Sequence, residues 1–331
     1  MATQTQWIGP HVFRELASRT ALAETEAPPR DLLTGAEWTP AGLRELYHLA
    51  AEVKAHTERY RSALAGRSVA LIFEKPSLRT RVTFEVGVRN LGGTPVFLDH
   101  SQSRLGKREE IRDVAKSLQC WVHGIVARTL DQSILEKLAE YSDIPVINAL
   151  TDQFHPCQAM ADFFTLEERF GNLRGLEMAY VGDGNNMCHS LMLAAARLGV
   201  RIRVATPAAY RPDATIVADA RRAARQTGGR VHLLTGPAAA VAGAHAVYTD
   251  VWVSMGQEGE SAERQQAFAG YQVTESLMAL AAPDAVFMHC LPAHRGSEVA
   301  ADVIDSPQSI VYQQAENRLH VQNAIMLTLF D

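Results

Sequence analysis

From Ser68 onward, short apolar runs alternate with amphipathic stretches of helical period, and this alternation restricts the fold more than any other feature of the chain. The expected strands are Ser68–Phe73, Pro95–Leu98, Val122–Ala127 and Pro145–Asn148, with a helix from Arg79 and others over Glu109–Gln119 and Ser133–Tyr141 between them. A long helix over Pro156–Arg169 closes near Gly171, and the alternation resumes. Its second part has strands at Glu177–Val181, Arg201–Ala205, Arg230–Leu234, Ala246–Asp250 and Ala285–His289. Helices at Asn186–Leu198 and Pro212–Arg225, and a further segment at Val273–Leu280, lie among them. Strands separated by helices pair in parallel with helices on both faces. The predicted fold is therefore α/β, two doubly wound parallel-sheet halves joined by a long helix. Ahead of the alternation, Trp38-Thr39-Pro40 reads as a helix start, Ala41–Ala65 has helical period, and Gly66 stops it. The Glu26–Pro29 stretch reads as an irregular connection.

A length of 331 residues suffices for two ordinary cores. A net charge of -5 argues against a nucleic-acid footprint, which needs a basic face. No apolar run spans a bilayer, and the first residues lack a charged start followed by an apolar core, so a cytoplasmic location is expected. Cys120, Cys157, Cys188 and Cys290 include no CxxC pair, which fits reduced thiols better than disulfides or zinc.

The segment Leu71–Val88 carries the first chemical signal. Three apolar residues end a strand, Pro76 delays the helix, and Ser77 is the expected N-cap. The first helical turn then carries Arg79 and Arg81, with no acid until Glu85. A helix start favours negative charge, so cations there make sense when a phosphate binds the free N–H groups, the Ser77 and Thr80 hydroxyls and an arginine fork. A plain surface helix start with solvated arginines is the competing reading.

Further polar clusters follow other strands, where ligands sit in open α/β sheets. Ser101–Arg108 is a basic, glycine-containing loop that needs no function on composition alone. Arg128 ends an apolar strand, a place often taken by a structural ion-pair partner. His155-Pro156-Cys157-Gln158 opens the long helix, and its histidine is also a plausible cap. Val181-Gly182-Asp183-Gly184-Asn185-Asn186 invites a dinucleotide reading, but Met187 stands where the third glycine belongs and no acid ends the next strand. Asp250-Val251-Trp252-Val253-Ser254-Met255-Gly256 leads into a flexible loop, and His289-Cys290-Leu291-Pro292 closes another strand. His289, Cys290 and His294 lack a zinc spacing.

Taken together, Ser77-Leu78-Arg79-Thr80-Arg81, His155-Pro156-Cys157-Gln158, Asp250–Gly256 and His289–Pro292 resemble the motifs of the aspartate and ornithine carbamoyltransferases, in that family's order and over nearly the whole chain. Leu78 departs from the usual Ser-Thr-Arg-Thr-Arg, and Val251 replaces a commoner threonine. The resemblance implies that Ser77, Leu78, Arg79 and Thr80 hold the phosphate of carbamoyl phosphate, with Gln102 and Arg104 reaching it from a loop shared between subunits. It further implies that Arg128 and His155 contact the carbamoyl oxygen, Gln158 orients its amide, and Cys290, Leu291 and Arg318 complete that site. Asn186, Asp250, Ser254 and Met255 match the positions that hold ornithine in the ornithine enzymes, and an acid with neutral amides suits a cationic substrate better than a dicarboxylate. The catalytic set would be Arg128, His155, Asp250 and Cys290, with the attacking atom belonging to the substrate amine.

The expected reaction is thus carbamoyl transfer from carbamoyl phosphate to ornithine, without metal or organic cofactor. Putrescine and an N-acylornithine are the alternative acceptors, and an NAD-dependent dehydrogenase the alternative class. The expected organisation is a carbamoyl phosphate domain at residues 1–155 and 316–331, with the C-terminal helix returning to it, and an ornithine domain at 156–315. The resemblance also implies a homo-oligomer, a trimer or a multiple of one, with shared active sites, and no membrane or nucleic-acid partner.

Overall fold

The computed structural model describes residues 28–101, 104–254 and 258–330, Glu258 by its backbone alone. Gln102 and Met255, and the Glu26-Ala27 part of the irregular connection, lie outside the described residues.

The first sheet comprises β1 (Ser68–Phe73), β2 (Thr94–Asp99), β3 (Gly124–Arg128) and β4 (Val146–Leu150), in the order β2-β1-β3-β4. The second comprises β5 (Glu177–Val181), β6 (Arg201–Ala205), β7 (Arg230–Leu234), β8 (Ala246–Thr249) and β9 (Val286–His289), in the order β7-β6-β5-β8-β9. All strand pairs are parallel. In each sheet the chain runs outward on one side and then crosses to the other, creating switch points between β1 and β3 and between β5 and β8. Those are the places where open α/β sheets bind ligands.

Among the described residues the helices are α1 (Pro40–Ala55), α2 (Arg79–Asn90), α3 (Ile111–Leu118), α4 (Gln132–Tyr141), α5 (Pro156–Phe170), α6 (Asn186–Leu198) and α7 (Ala214–Thr227). They continue with α8 (Pro237–Val241), α9 (Ser261–Ala267), α10 (Glu275–Met278), α11 (Ala301–Ile304) and α12 (Val311–Leu329). Thr39 caps α1 through its hydroxyl, as its position before Pro40 predicts. The helical run expected to reach Ala65 instead ends at Ala55, and a 3-10 turn over Thr57–Tyr60 follows. The segment Val273–Leu280 reduces to the single turn α10. Its hydrophobics serve the core around Val273 and Met278 rather than a longer element.

Ser77 is not the cap of α2. Leu78 occupies that position in a helical conformation (φ -74, ψ -65) without a side-chain cap, because the Ser77 hydroxyl is engaged by Arg128.

A continuous apolar core joins β1, β3, α5, α6 and α12, so the halves share one interior. The C-terminal helix packs against the first half: a Cβ on Gly87 in α2 would lie 3.1 Å from Met326, and one on Gly124 in β3 would strike the Phe330 ring. Arg197 on α6 donates to the carbonyls of Trp38 and Ala36, a second bridge between halves. Among the described residues no helix is long and apolar enough to cross a membrane.

Candidate active site

The two switch points open onto one cleft of about 1320 Å³. Ser77, Leu78, Arg79, Thr80, Arg104, Arg128, His155 and Arg318 line one part of it. Asn186, Asp250, Ser254, Cys290 and Leu291 line the other. The structure therefore brings together thirteen of the sixteen expected positions, all but Gln158 and the undescribed Gln102 and Met255.

On the β1 and β3 side, Arg128 Nη1 donates to Ser77 Oγ at 3.1 Å, and Arg318 Nη2 donates to Thr80 Oγ1 at 2.9 Å. Each hydroxyl accepts from an arginine, which leaves its own hydrogen to point at a ligand. Arg128 and Arg318 are buried, yet neither pairs with an acid among the described residues. Burial, followed by repulsion from Arg318 and Arg79, pulls Arg128 down to about 10. The same burial and the three guanidiniums Arg318, Arg128 and Arg79 push His155 well below the ordinary histidine value, so its ring is neutral. Its Nδ1 is buried without a hydrogen-bond partner among the described residues. A cleft wall that gathers three arginines and two hydroxyls, none of them paired with a carboxylate among the described residues, is electrostatically suited to an anion.

The pair of arginines at the helix start does not act together. Arg79 faces the cleft, whereas Arg81 stacks over Phe97 at 3.7 Å and pairs with Glu85 at 3.1 Å. The remaining guanidiniums come from β3 and α12. Leu78 is 73% exposed, so its departure from the family pattern removes no buried contact. Glu74, at the end of β1, accepts from the backbone N–H groups of Leu105 and Leu130, fastening the basic loop and the turn after β3 beside the cleft. Arg104 is exposed and lines the cleft of its own chain.

On the β5 and β8 side, Asp250 is buried and holds three donors, which leaves its carboxylate acceptor capacity for one more. Its Oδ1 accepts from Val251 N at 2.8 Å and from Cys290 Sγ at 3.1 Å, and its Oδ2 accepts from Asn185 Nδ2 at 2.8 Å. Burial and then the Asp250 charge hold the Cys290 thiol well above its ordinary value, so it is a donor and not a thiolate nucleophile. Asp250, His289 and Cys290 present ligand-type atoms within 4.8 Å of one another. Each is committed to protein: the His289 Nδ1 accepts from Leu291 N at 2.8 Å, and the thiol donates to Asp250.

The Gly-Asp-Gly turn has a structural explanation. A Cβ on Gly184 would lie 2.2 Å from Pro212 N, so the second glycine admits the 210–212 segment where a dinucleotide would need room for its pyrophosphate. Asn185 caps α6 with its side-chain oxygen and reaches Asp250 with its nitrogen. Asn186 Nδ2 donates to Thr151 O at 2.6 Å, across the seam between halves.

Three residues that line the cleft escaped the sequence reading. Asn185 was hidden by its neighbour Asn186, although an asparagine directly before a helix is a capping signal. Asp183 and Arg264 form a buried pair at 2.8 Å, and Arg264 Nη1 also donates to Trp252 O at 2.9 Å. Their separation of 81 positions leaves no local pattern to detect.

The sequence profile described as "Aspartate/ornithine carbamoyltransferase, carbamoyl-P binding domain" matches residues 30–168, and that described as "Aspartate/ornithine carbamoyltransferase, Asp/Orn binding domain" matches residues 174–329. An ornithine carbamoyltransferase of Symbiobacterium thermophilum is 51% identical over 299 residues, covering 90% of this chain and 96% of that protein. One from Shewanella oneidensis is 50% identical over 294 residues, covering 89% and 97%. Among solved structures, the ornithine carbamoyltransferase from Pyrococcus furiosus superposes with a TM-score of 0.87 at 46% identity, covering 91% of this chain and 96% of that one.

Proposed function

The chain belongs to the aspartate/ornithine carbamoyltransferase family, and from the chemistry of its cleft we infer that it transfers the carbamoyl group of carbamoyl phosphate to the side-chain amine of L-ornithine, giving L-citrulline and phosphate. The observation that carries this reading is the junction of an acid-free arginine site with a buried carboxylate across one cleft.

In this mechanism Ser77, Arg79 and Thr80 hold the phosphate with the Leu78 backbone, and Arg104 adds charge from the adjoining loop. Thr80, Arg128 and neutral His155 donate toward the carbonyl oxygen, stabilising the negative charge that develops as the amine attacks. The C–N bond forms, the bond from carbon to the phosphate oxygen breaks with its electron pair leaving on the phosphate, and the proton shed by the amine nitrogen passes to that departing phosphate. Asp250 holds the substrate's ammonium with Ser254, Asn186 and Met255 hold its carboxylate, and the Cys290 thiol fixes the orientation of Asp250. Gln158, Leu291 and Arg318 complete the carbamoyl site. Residues 1–155 and 316–331 form the carbamoyl phosphate domain and 156–315 the ornithine domain.

Self-association into a trimer fits the apolar stripe along α2, where Leu78, Val82 and Val86 are 73%, 47% and 39% exposed at one-turn intervals. Sedimentation should show Val82→Glu shifted to a smaller species, and an unshifted oligomer removes this face from the interface. Four free cysteines fit a reducing, cytoplasmic compartment, and a citrulline product fits a role in arginine metabolism. The deciding experiment is a colorimetric assay for the ureido product with ornithine, putrescine, N-acetylornithine and aspartate as acceptors. Ornithine should be fastest, and a faster putrescine rate reverses the assignment.

A further inference from the structure

Asp162 on α5 is wholly buried, and its carboxylate gathers donors from three elements. Its Oδ1 accepts from Gln158 Nε2 and from Gln314 Nε2, each at 2.8 Å, and its Oδ2 accepts from the Tyr248 hydroxyl at 2.9 Å. Gln158 lies on α5, Gln314 on α12 and Tyr248 on β8, so the carboxylate joins both halves of the fold. Burial raises Asp162 to about 6 while these donors oppose the rise, leaving it ionised at neutral pH.

An ionised carboxylate can only accept. Each amide facing it must present its NH2 and turn its carbonyl away. The Gln314 carbonyl is thereby delivered to the backbone N–H of His289 at 3.0 Å, one residue before Cys290. The Gln158 carbonyl is turned the other way, buried and without a hydrogen-bond partner among the described residues. Gln158 follows His155 by three positions, which sets both on one side of the helix start, and His155 lines the cleft. A buried acceptor without a donor is costly unless a ligand N–H satisfies it.

We propose that Asp162 is a positioning residue that fixes the polarity of Gln158, so that its amide oxygen accepts from the NH2 of the bound carbamoyl group. Through Gln314 the same carboxylate holds the strand end before Cys290 in step with that contact. This inference rests on the proposed reaction and adds the residue that makes the donor site selective for an amide.

The test compares carbamoyl phosphate with acetyl phosphate, which carries CH3 in place of NH2, and uses inorganic phosphate as control. Binding of each to the full chain is measured by calorimetry. The wild type prefers carbamoyl phosphate, and in Asp162→Leu that preference falls about fivefold, the worth of one hydrogen bond. Affinity for inorganic phosphate stays within about twofold. Asp162→Asn keeps the preference, because its oxygen still accepts from both glutamines while its NH2 faces the Tyr248 hydroxyl. Should Asp162→Leu fail to fold, Asp162→Ser decides: a hydroxyl can donate to either glutamine as well as accept, so Gln158 is no longer held one way round and the preference falls. An undiminished preference in the variant that folds, or equal weakening toward all three probes, overturns the proposal. A wild type that binds carbamoyl phosphate no better than inorganic phosphate overturns the reaction beneath it, a failure visible before any variant is made.

Discussion

Arg318 on the last helix donates to Thr80 Oγ1 at 2.9 Å in the first turn of α2, so two residues 238 positions apart form one wall of the cleft. The hydroxyl can accept from Arg318 and still donate to a ligand, a polarity it loses when the guanidinium is removed. Arg318→Gln should lower kcat by about 100-fold, the scale of one misdirected donor to a developing oxyanion. Steady-state kinetics check this, and an unchanged kcat removes Arg318 from the site.

The acid-free arginine cluster makes a second prediction about stability. Arg128 is held below its ordinary value by burial and then by Arg318 and Arg79, which means its charge is accommodated at a cost. Arg128→Met, similar in length, should melt no lower than the wild type without ligand. Phosphate or carbamoyl phosphate, which should raise the wild-type Tm, should raise that of the variant much less. Equal ligand-induced shifts in a thermal scan would show that Arg128 does not meet the anion.

His155 gives a pH dependence whose sign can be worked out. The unfolded chain takes up a proton at an imidazole near pH 6.5. The folded site refuses it, because burial and three arginines hold His155 well below that value. The stability this residue contributes is therefore present above about pH 6.5 and declines as pH falls below it. His155→Gln should flatten that part of the Tm profile relative to wild type. An identical acid slope in both proteins would mean that His155 is already protonated in the fold.

How much of this was legible beforehand follows from where each signal lies along the chain. Both parallel sheets, the joining helix and the order of motifs are local patterns of apolar period and turn residues, and they hold to within a few positions. The turn after β5 was ambiguous, since Gly182-Asp183-Gly184 looks alike whether it admits a pyrophosphate or the 210–212 segment. Ser77 and Arg81 were misread because Arg128 and Phe97, which engage them, arrive from other strands, although the Arg81–Glu85 pair at i,i+4 is a local signal that Arg81 turns away from the cleft. The same limit hid Asp162, whose glutamine and tyrosine partners Gln314 and Tyr248 are 152 and 86 positions away.

Cys290 should behave as a donor to Asp250 and not as a reactive thiol. Burial and the neighbouring carboxylate raise it well above the ordinary thiol value, while Cys120 is exposed. Iodoacetamide at neutral pH should label Cys120 first and leave citrulline formation intact. Cys290→Ser, which keeps a donor for Asp250, should retain more activity than Cys290→Ala. Mass spectrometry of the alkylated protein, paired with the assay, tests both statements, and early loss of activity with Cys290 labelling would refute them.

The buried pair of Arg264 and Asp183 fastens the segment after β8 to the turn after β5. Arg264 Nη1 bridges Asp183 Oδ2 and Trp252 O, and its guanidinium lies 4.8 Å from the Tyr210 ring centre, so one side chain ties three segments around the ornithine side of the cleft. Arg264→Gln leaves Asp183 buried without its cation, a change of about 3 kcal/mol against folding. Asp183→Asn in the same chain should recover part of that loss, since the remaining amides can bond without a stranded charge. The kinetic signature should be equally local: the KM for ornithine rises in Arg264→Gln while that for carbamoyl phosphate moves little. A parallel rise in both constants would mean that the pair supports the whole domain rather than this segment.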